Sequence, residues 1–131
     1  MKAMSLNNHI QNATDLHQGK GYTRGKGLLE PFLARQRARI GNQLIPTNLR
    51  QGRILDIGCW TYPYFLAHSE FAKKFAIDQL PIPSDVAKNL HIENYSLNLN
   101  EKPVLPFENN FLSVVTLLAV VEHLKDRKSV V

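Results

Sequence analysis

The fold of this chain is decided by the stretch RILDIGC, residues Arg53–Cys59. Its apolar residues predict a buried strand, which ends in a carboxylate, Asp56, and a tight turn at Gly58. Open α/β sheets use this arrangement at the carboxyl end of their first strand. The stretch therefore predicts an open sheet whose first strand spans 53–57.

A second acidic residue follows at a spacing that nucleoside-binding proteins use. The apolar run Phe75-Ala76-Ile77 ends in Asp78, 22 residues after Asp56. An acid about 20 residues further on can accept hydrogen bonds from the hydroxyls of a ribose. Together, the two strand ends predict a nucleoside-binding βαβ unit.

Four short motifs, in this order, resemble those of the class I S-adenosylmethionine (SAM)-dependent methyltransferases, specifically their small type 11-like domains. The motifs are ILDIGC at 54–59, AID at 76–78, LPF at 105–107 and VVTLLAVVEHL at 114–124. The resemblance covers about residues 22–131. It implies an α/β fold, a Rossmann-like doubly wound parallel sheet, that binds SAM and transfers its methyl group to an acceptor.

A nicotinamide-binding Rossmann domain is the other interpretation of the first motif. Its fingerprint G-x-G-x-x-G brings backbone close to a pyrophosphate, whereas Trp60 and Pro63 stand here where that pattern needs glycines. SAM has no pyrophosphate, so one close-approach glycine is sufficient for it. An acid before the turn also suits a cationic ligand better than a dianionic one. The methyltransferase interpretation is therefore preferred.

Three residues of the first two motifs are implied as cofactor ligands by the resemblance. Asp56 would face the positively charged methionine end of SAM, directly or through water. Gly58 would let backbone pass close to the cofactor, and Asp78 would bind the ribose hydroxyls. A plain strand-end carboxylate is the alternative for Asp78.

Four residues further along the chain complete the implied site. Asn98 would meet the adenine amino edge, with a simple turn residue as the alternative. Leu118 and Ala119 would line the methionine moiety. His123 is a candidate general base, although its place at a predicted helix start also fits capping and packing. No metal is required, because the methyl group of SAM arrives activated.

Three positions depart from the family pattern and bear on catalysis. Trp60 and Tyr62 stand where the first motif commonly has glycine, and a large side chain there can fill the ligand's space. Ser113 stands where the family commonly has aspartate. These departures keep a second function class open, a non-catalytic methyltransferase-like module that acts as a binding partner or scaffold.

The start of the chain separates into two parts. Residues 1–21 are polar and without a sustained period, so they are predicted to be poorly ordered, ahead of a SAM-binding domain over 22–131. A helix is predicted from about residue 28 to 44, since apolar side chains recur there near helical spacing. Its apolar positions are Leu29, Leu33 (or Phe32), Ile40 and Leu44.

Four parallel strands are predicted in the order 3-2-1-4, with helices near 63–68 and 84–89. The strands are expected at 53–57, 74–78, 91–97 and 112–121, the last of them buried on both faces. The family's sheet usually has seven strands, so the domain is expected to be truncated after the fourth. Its apolar edge would then favour self-association.

Composition narrows the class of protein. The chain has 131 residues, one cysteine and a formal net charge of +5. A lone cysteine excludes an internal disulfide, and no stretch reaches the ~18 apolar residues of a membrane span, so a cytoplasmic protein is expected.

Positive charge is concentrated at the start of the chain. Residues 1–53 hold nine Lys or Arg against two acids. A solvated helix surface is preferred to a nucleic-acid face for this segment, because no aromatic-basic interleaving accompanies the charge. The partners that the resemblance implies are SAM and a methyl acceptor, taken to be a small molecule.

Overall fold

The computed structural model describes residues 29–118, which form an open, four-stranded, all-parallel sheet with flanking helices. The helices are α1, Leu29–Leu44; a short 3-10 helix, Thr47–Gln51; α2, Tyr64–Ala67; and α3, Ser84–Asn89. The strands are β1, Arg53–Ile57; β2, Lys73–Asp78; β3, Ile92–Ser96; and β4, Val114–Thr116. The Rossmann-like α/β fold predicted from the sequence is confirmed.

The strands are arranged in the order β3-β2-β1-β4, and every pairing is parallel. The chain steps outward from β1 to β2 to β3 and then crosses back to place β4 on the other side of β1. Open α/β sheets bind ligands where the strand order reverses in this way, outside the carboxyl ends of the strands. The topology therefore directs attention to the ends of β1 and β4.

The two faces of the sheet are covered by different kinds of structure. Successive side chains of a strand point to opposite faces, so Ile54 belongs to one core cluster and Leu55 to the other. The cluster around Ile54 also contains buried residues of all three α-helices, namely Ala38, Phe65, Leu66 and Ala87. We call this side of the sheet the helical face.

The opposite face is covered by residues 97–113, the long connection between β3 and β4. Phe107 and Phe111 stack with their ring centroids 5.3 Å apart, and each meets Phe75 edge-on. The guanidinium of Arg53 lies 4.5 Å from the centroid of Phe111. Aromatic pairs contribute roughly 0.5–1.5 kcal/mol each beyond the burial of their area. This loop is therefore a packed layer of the fold.

Helix α1 has the extent that the sequence predicted but packs through another face. Leu29 and Leu44 are 73% and 76% exposed, whereas Ala38 is buried. Small residues let α1 approach α2 closely, since a Cβ added at Gly41 would lie 3.3 Å from the ring of Phe65. The predicted apolar face was thus wrong, because close packing selected Ala38 and Gly41 over the larger side chains.

Strand β4 is shorter and more exposed than the sequence predicted. It covers three residues, and within the described part of the chain it pairs with β1 alone. Val115 is 40% exposed, so the expectation of burial on both faces is wrong for this portion of 112–121. An edge strand has a neighbour on one side only, which leaves part of its surface uncovered.

None of the helices within 29–118 combines the length and the apolar character that a membrane crossing requires. The predicted N-terminal segment 1–21 lies outside the described residues.

Candidate functional site

Asp56 is the centre of the candidate site, near the carboxyl end of β1 and on the helical face. Its side chain is buried, and its Oδ1 accepts a hydrogen bond from the hydroxyl of Thr116 at 2.6 Å. Thr116 is also the register partner of Asp56 across the β1–β4 pairing. The sheet itself therefore holds the hydroxyl against the carboxylate, which links the two strands at the reversal point.

Burial raises the pKa of Asp56 to about 7. The main cause is the loss of water, which disfavours the charged form, and the nearby charge of Asp78 raises the pKa further. The hydrogen bond from Thr116 acts in the opposite direction. Near neutral pH the group is thus close to the midpoint of its titration. A cation placed beside it would favour the ionised form.

The turn after β1 is built on Gly58, as the sequence predicted, whereas the close approach of this glycine to a cofactor stays a prediction. Its φ of 78° lies in the left-handed region, which glycine adopts without steric strain. Its N–H donates to the carbonyl oxygen of Ile77 at 2.8 Å, which ties the turn to β2. The next residue, Cys59, is buried, and burial together with the charges of Asp56 and Asp78 raises the pKa of its thiol. The thiol therefore remains protonated and unreactive.

Asp78 is buried at the end of β2 and organises the same turn. Its Oδ2 accepts the N–H of Trp60 at 2.9 Å, and its Oδ1 accepts the N–H of Leu80 at 3.1 Å. Trp60 has a φ of 62°, a conformation that costs a residue with a Cβ roughly 1–2 kcal/mol. A charge-assisted hydrogen bond to its N–H offsets that strain. Asp78 is therefore part of the framework of the site.

Asn98 lies just beyond β3 and uses its side chain in a turn. Its Oδ1 accepts the N–H of Asn100 at 3.1 Å and the side-chain N–H of Gln79 at 3.4 Å. Its Nδ2 donates to a carboxylate oxygen of Glu101 at 2.9 Å. These contacts match the turn alternative for Asn98. Through Gln79, which follows Asp78, they also attach this turn to the end of β2.

One small cavity brings together three of the residues that the sequence singled out. Asp56, Gly58 and Leu118 line a partly open space of about 70 Å³, to which residues of α1 and α2 also contribute. Small-molecule clefts usually measure roughly 300–1,000 Å³. The carboxylate of Asp56 is the one acidic group among the described residues of this lining and suits a cationic group. The cavity would have to widen before a ligand the size of a nucleoside could enter.

One residue of the site was not predicted from the sequence, and two predicted residues lie outside the part of the chain that the structure describes. Thr116 was not singled out, although a lone hydroxyl in the apolar run VVTLL was a usable signal. Ala119 and His123 lie outside the described residues, so their predicted roles remain predictions. Among residues 29–118, no three His, Cys, Asp or Glu side chains are grouped to hold a metal ion.

Comparisons with known proteins gave no match to a family model, to a curated protein or to a solved structure. The function is therefore argued from the residues and geometry of the site.

Proposed function

We propose that this chain is a SAM-dependent methyltransferase domain whose cofactor binds at the carboxyl ends of β1 and β2. The observation that carries the proposal is the pair of buried carboxylates, Asp56 and Asp78, on neighbouring strand ends around the Gly58 turn. This pair lies beside the reversal of strand order, where open α/β sheets bind their ligands.

The chemistry of each carboxylate supports a separate part of the ligand. Asp56 would hold the cationic methionine end, and a positive charge there would draw the group to its ionised form. Asp78 would accept the ribose hydroxyls. Each carboxylate oxygen has two lone pairs, so bonds from Trp60 and Leu80 leave acceptor capacity on both oxygens.

SAM would supply an activated methyl group, and the residues of the chain would bind it, orient it and exclude water. The 70 Å³ cavity must widen for this to happen. The N-terminal part of α1, which lines the cavity through Ala34 and Arg37, is the wall that we expect to move, because Ala38 is the only residue of α1 that is fully buried. Elements with few buried apolar contacts open at the lowest free energy.

A calorimetric titration of the chain with SAM tests the proposal. We expect saturable binding to one site, competition by S-adenosylhomocysteine, and an about tenfold or greater loss of affinity in Asp78→Asn, since a hydrogen bond to a charged group contributes roughly 1.5–3 kcal/mol. Asp85→Asn removes an exposed acid from α3 and should leave the affinity unchanged. An absence of saturable binding up to millimolar SAM would contradict the proposal.

A non-catalytic methyltransferase-like module is the second candidate, and two observations favour it. The cavity beside Asp56 is small, and the edge of β4 leaves Val115 exposed as a template for strand pairing. Under this alternative the chain self-associates or binds a protein partner without SAM. Sedimentation velocity over a concentration series, together with the SAM titration, distinguishes the two candidates. Self-association without SAM binding supports the second, whereas a monomer that binds SAM supports the first.

A further inference from the structure

A second concavity, here called the α1–α2 groove, lies on the outer side of α1 and α2. Its volume is about 430 Å³, within the roughly 300–1,000 Å³ that small-molecule clefts have. The polar and aromatic residues along it are Arg35, Arg39, Asn42, Gln43, Tyr64 and His68. Among the described residues that line the groove, none is acidic.

Two guanidinium groups give the groove its charge. Arg35 and Arg39 are exposed and one helical turn apart, so they share a face of α1. Arg37, between them, pairs with Glu30 at 3.7 Å, whereas within 29–118 neither Arg35 nor Arg39 has a carboxylate within 4.0 Å. Like charges at this spacing repel each other. A bound anion would relieve the repulsion and accept charge-assisted hydrogen bonds.

The far end of the groove is held rigid by Asn42. Its Nδ2 donates to the carbonyl oxygens of Ala38, at 3.1 Å, and of His68, at 3.3 Å, and so joins α1 to the end of α2. Arg50 donates in turn to Asn42, at 3.2 Å to Oδ1 and 2.6 Å to the carbonyl oxygen. A groove held in this way does not have to be ordered by its ligand, which favours binding.

The side of the groove that Tyr64 and His68 form is aromatic. The rings of Tyr64 and His68 are stacked, with their centroids 4.2 Å apart. Nδ1 of His68 lies 2.8 Å from the carbonyl oxygen of Tyr64, and a carbonyl oxygen only accepts, so Nδ1 carries a proton and donates. That bond fixes the orientation of the imidazole. A flat side of this kind suits an unsaturated or aromatic group on the same ligand as the anion.

We propose that the α1–α2 groove binds the phosphate of a small phosphate ester, and that such an ester is the methyl acceptor. Two forked guanidinium groups can donate to several oxygens at once. A phosphate offers more such oxygens than a single carboxylate does, so it is the better ligand for this pair of arginines. The groove and the cavity of Asp56 share Ala38 and Tyr64 as walls, so a ligand here lies next to the proposed cofactor position. The acceptor role rests on the proposed function, whereas the phosphate site does not.

In the reaction, a lone pair of the acceptor forms a bond to the methyl carbon while the carbon–sulfur bond breaks. The electron pair of that bond stays on sulfur, so the sulfonium becomes a neutral thioether, and the proton of the acceptor atom passes to solvent. The groove residues take no part in these bond changes. They position the ester for them.

Binding of phenyl phosphate to the full chain, measured by calorimetry, tests the site. We expect saturable binding that weakens about tenfold or more in Arg35→Gln/Arg39→Gln, because two charge-assisted hydrogen bonds are lost. The matched control Lys73→Gln/Lys88→Gln removes the same charge from exposed positions on β2 and α3, and should change the affinity less than about twofold. Equal losses in both variants, or no saturable binding, would overturn the phosphate site.

Two further titrations separate this inference from the proposed function. SAM affinity should be unchanged in Arg35→Gln/Arg39→Gln; if the parent chain binds phenyl phosphate but not SAM, the site stands and the acceptor role is overturned. A single-stranded RNA decamer should bind no more tightly than phenyl phosphate. If the RNA binds more tightly, and if Lys73→Gln/Lys88→Gln also weakens that binding, the ligand contacts a wider basic surface than the groove. That result would overturn the assignment to a small ester.

Discussion

Asp56 and Asp78 occupy corresponding places at the ends of neighbouring parallel strands, yet their surroundings differ. Asp56 meets one hydroxyl, from Thr116, and burial raises its pKa to about 7. Asp78 instead accepts two backbone N–H groups, from Trp60 and Leu80. The turn that follows β1 is bound to Asp78 and leaves Asp56 facing a cavity. The same residue type therefore serves as a structural anchor in one strand and as a titratable group in the other.

The largest expected effect concerns the proton on Asp56. Its pKa is about 7 in the folded chain against an ordinary value of 3.8, so between these values the folded state binds a proton that the unfolded state lacks. The stabilisation that the proton on Asp56 gives the folded state is fully present below about pH 4 and is lost as the pH rises to about 7. The loss is about 1.4 kcal/mol per pH unit. The neutral variant Asp56→Asn is thus expected to be more stable than the parent at pH 8, by on the order of 4 kcal/mol.

Urea unfolding of both proteins from pH 4 to pH 8 measures this effect. The effects of the other titrating groups cancel when the unfolding free energy of the parent is subtracted from that of Asp56→Asn. The remaining difference should grow as the pH rises from 4 to about 7. Asp85→Asn, an exposed acid on α3, serves as the control and should give a small, nearly constant difference. A constant difference for Asp56→Asn as well would remove the distinction between the two carboxylates.

Removing the carboxylate of Asp78 should lower the stability of the fold, whereas removing the charge of Asp56 should raise it. Asp78→Ala leaves the N–H groups of Trp60 and Leu80 without their acceptor, at roughly 1–3 kcal/mol each. We expect the free energy of unfolding at pH 7 to fall by about 2–4 kcal/mol, less than two full penalties because both hydrogen bonds are only partly buried. The same change would also remove the proposed acceptor of the ribose hydroxyls, so weaker SAM binding should accompany the loss of stability. Asp85→Ala is the control, and a change as small as the control's would show that Asp78 does not anchor the turn.

The smallest effect concerns the indole of Trp60. Glycine and asparagine both tolerate its φ of 62°, so Trp60→Gly and Trp60→Asn remove the indole while keeping the turn. If the indole fills the space of the ligand, both variants should bind SAM about fivefold more tightly, an effect of about 1 kcal/mol. Calorimetry measures the change. Weaker binding in both variants would instead make the indole a wall of the pocket.

The strand ends could be predicted because their signals are local. A short apolar run followed by an acid and a glycine marks β1 whatever the rest of the chain does, and the run before Asp78 marks β2. The packing face of α1 could not be predicted this way. Its large apolar residues have helical spacing, but the choice of Ala38 and Gly41 depends on Phe65 in another helix.

Only part of the candidate site could be predicted from the sequence. The bond between Asp56 and Thr116 joins residues 60 apart in the chain, and only the register of the sheet brings them together. For Asn98 the sequence left a ligand contact and a turn open, and its side chain forms a turn. The volume of a cavity depends on how helices pack around it, which no local pattern encodes.

The register of the sheet also has a consequence for the order of folding. Before other pairings exist, the contact of Asp56 with Thr116 must close 60 residues of chain. Once β1, β2 and β3 are paired, the loop that remains to be closed joins Ser96 to Val114, which are 18 positions apart. Closing the shorter loop costs roughly 1 kcal/mol less in entropy.

We therefore expect β4 to dock last, onto a βαβαβ unit that has already formed. Thr116→Val, which deletes the hydroxyl held by Asp56, should then accelerate unfolding and leave the refolding rate nearly unchanged. Stopped-flow kinetics in urea measure both rates. Slower refolding would place β4 in the folding nucleus, and the strand that completes the candidate site would then be among the first to form.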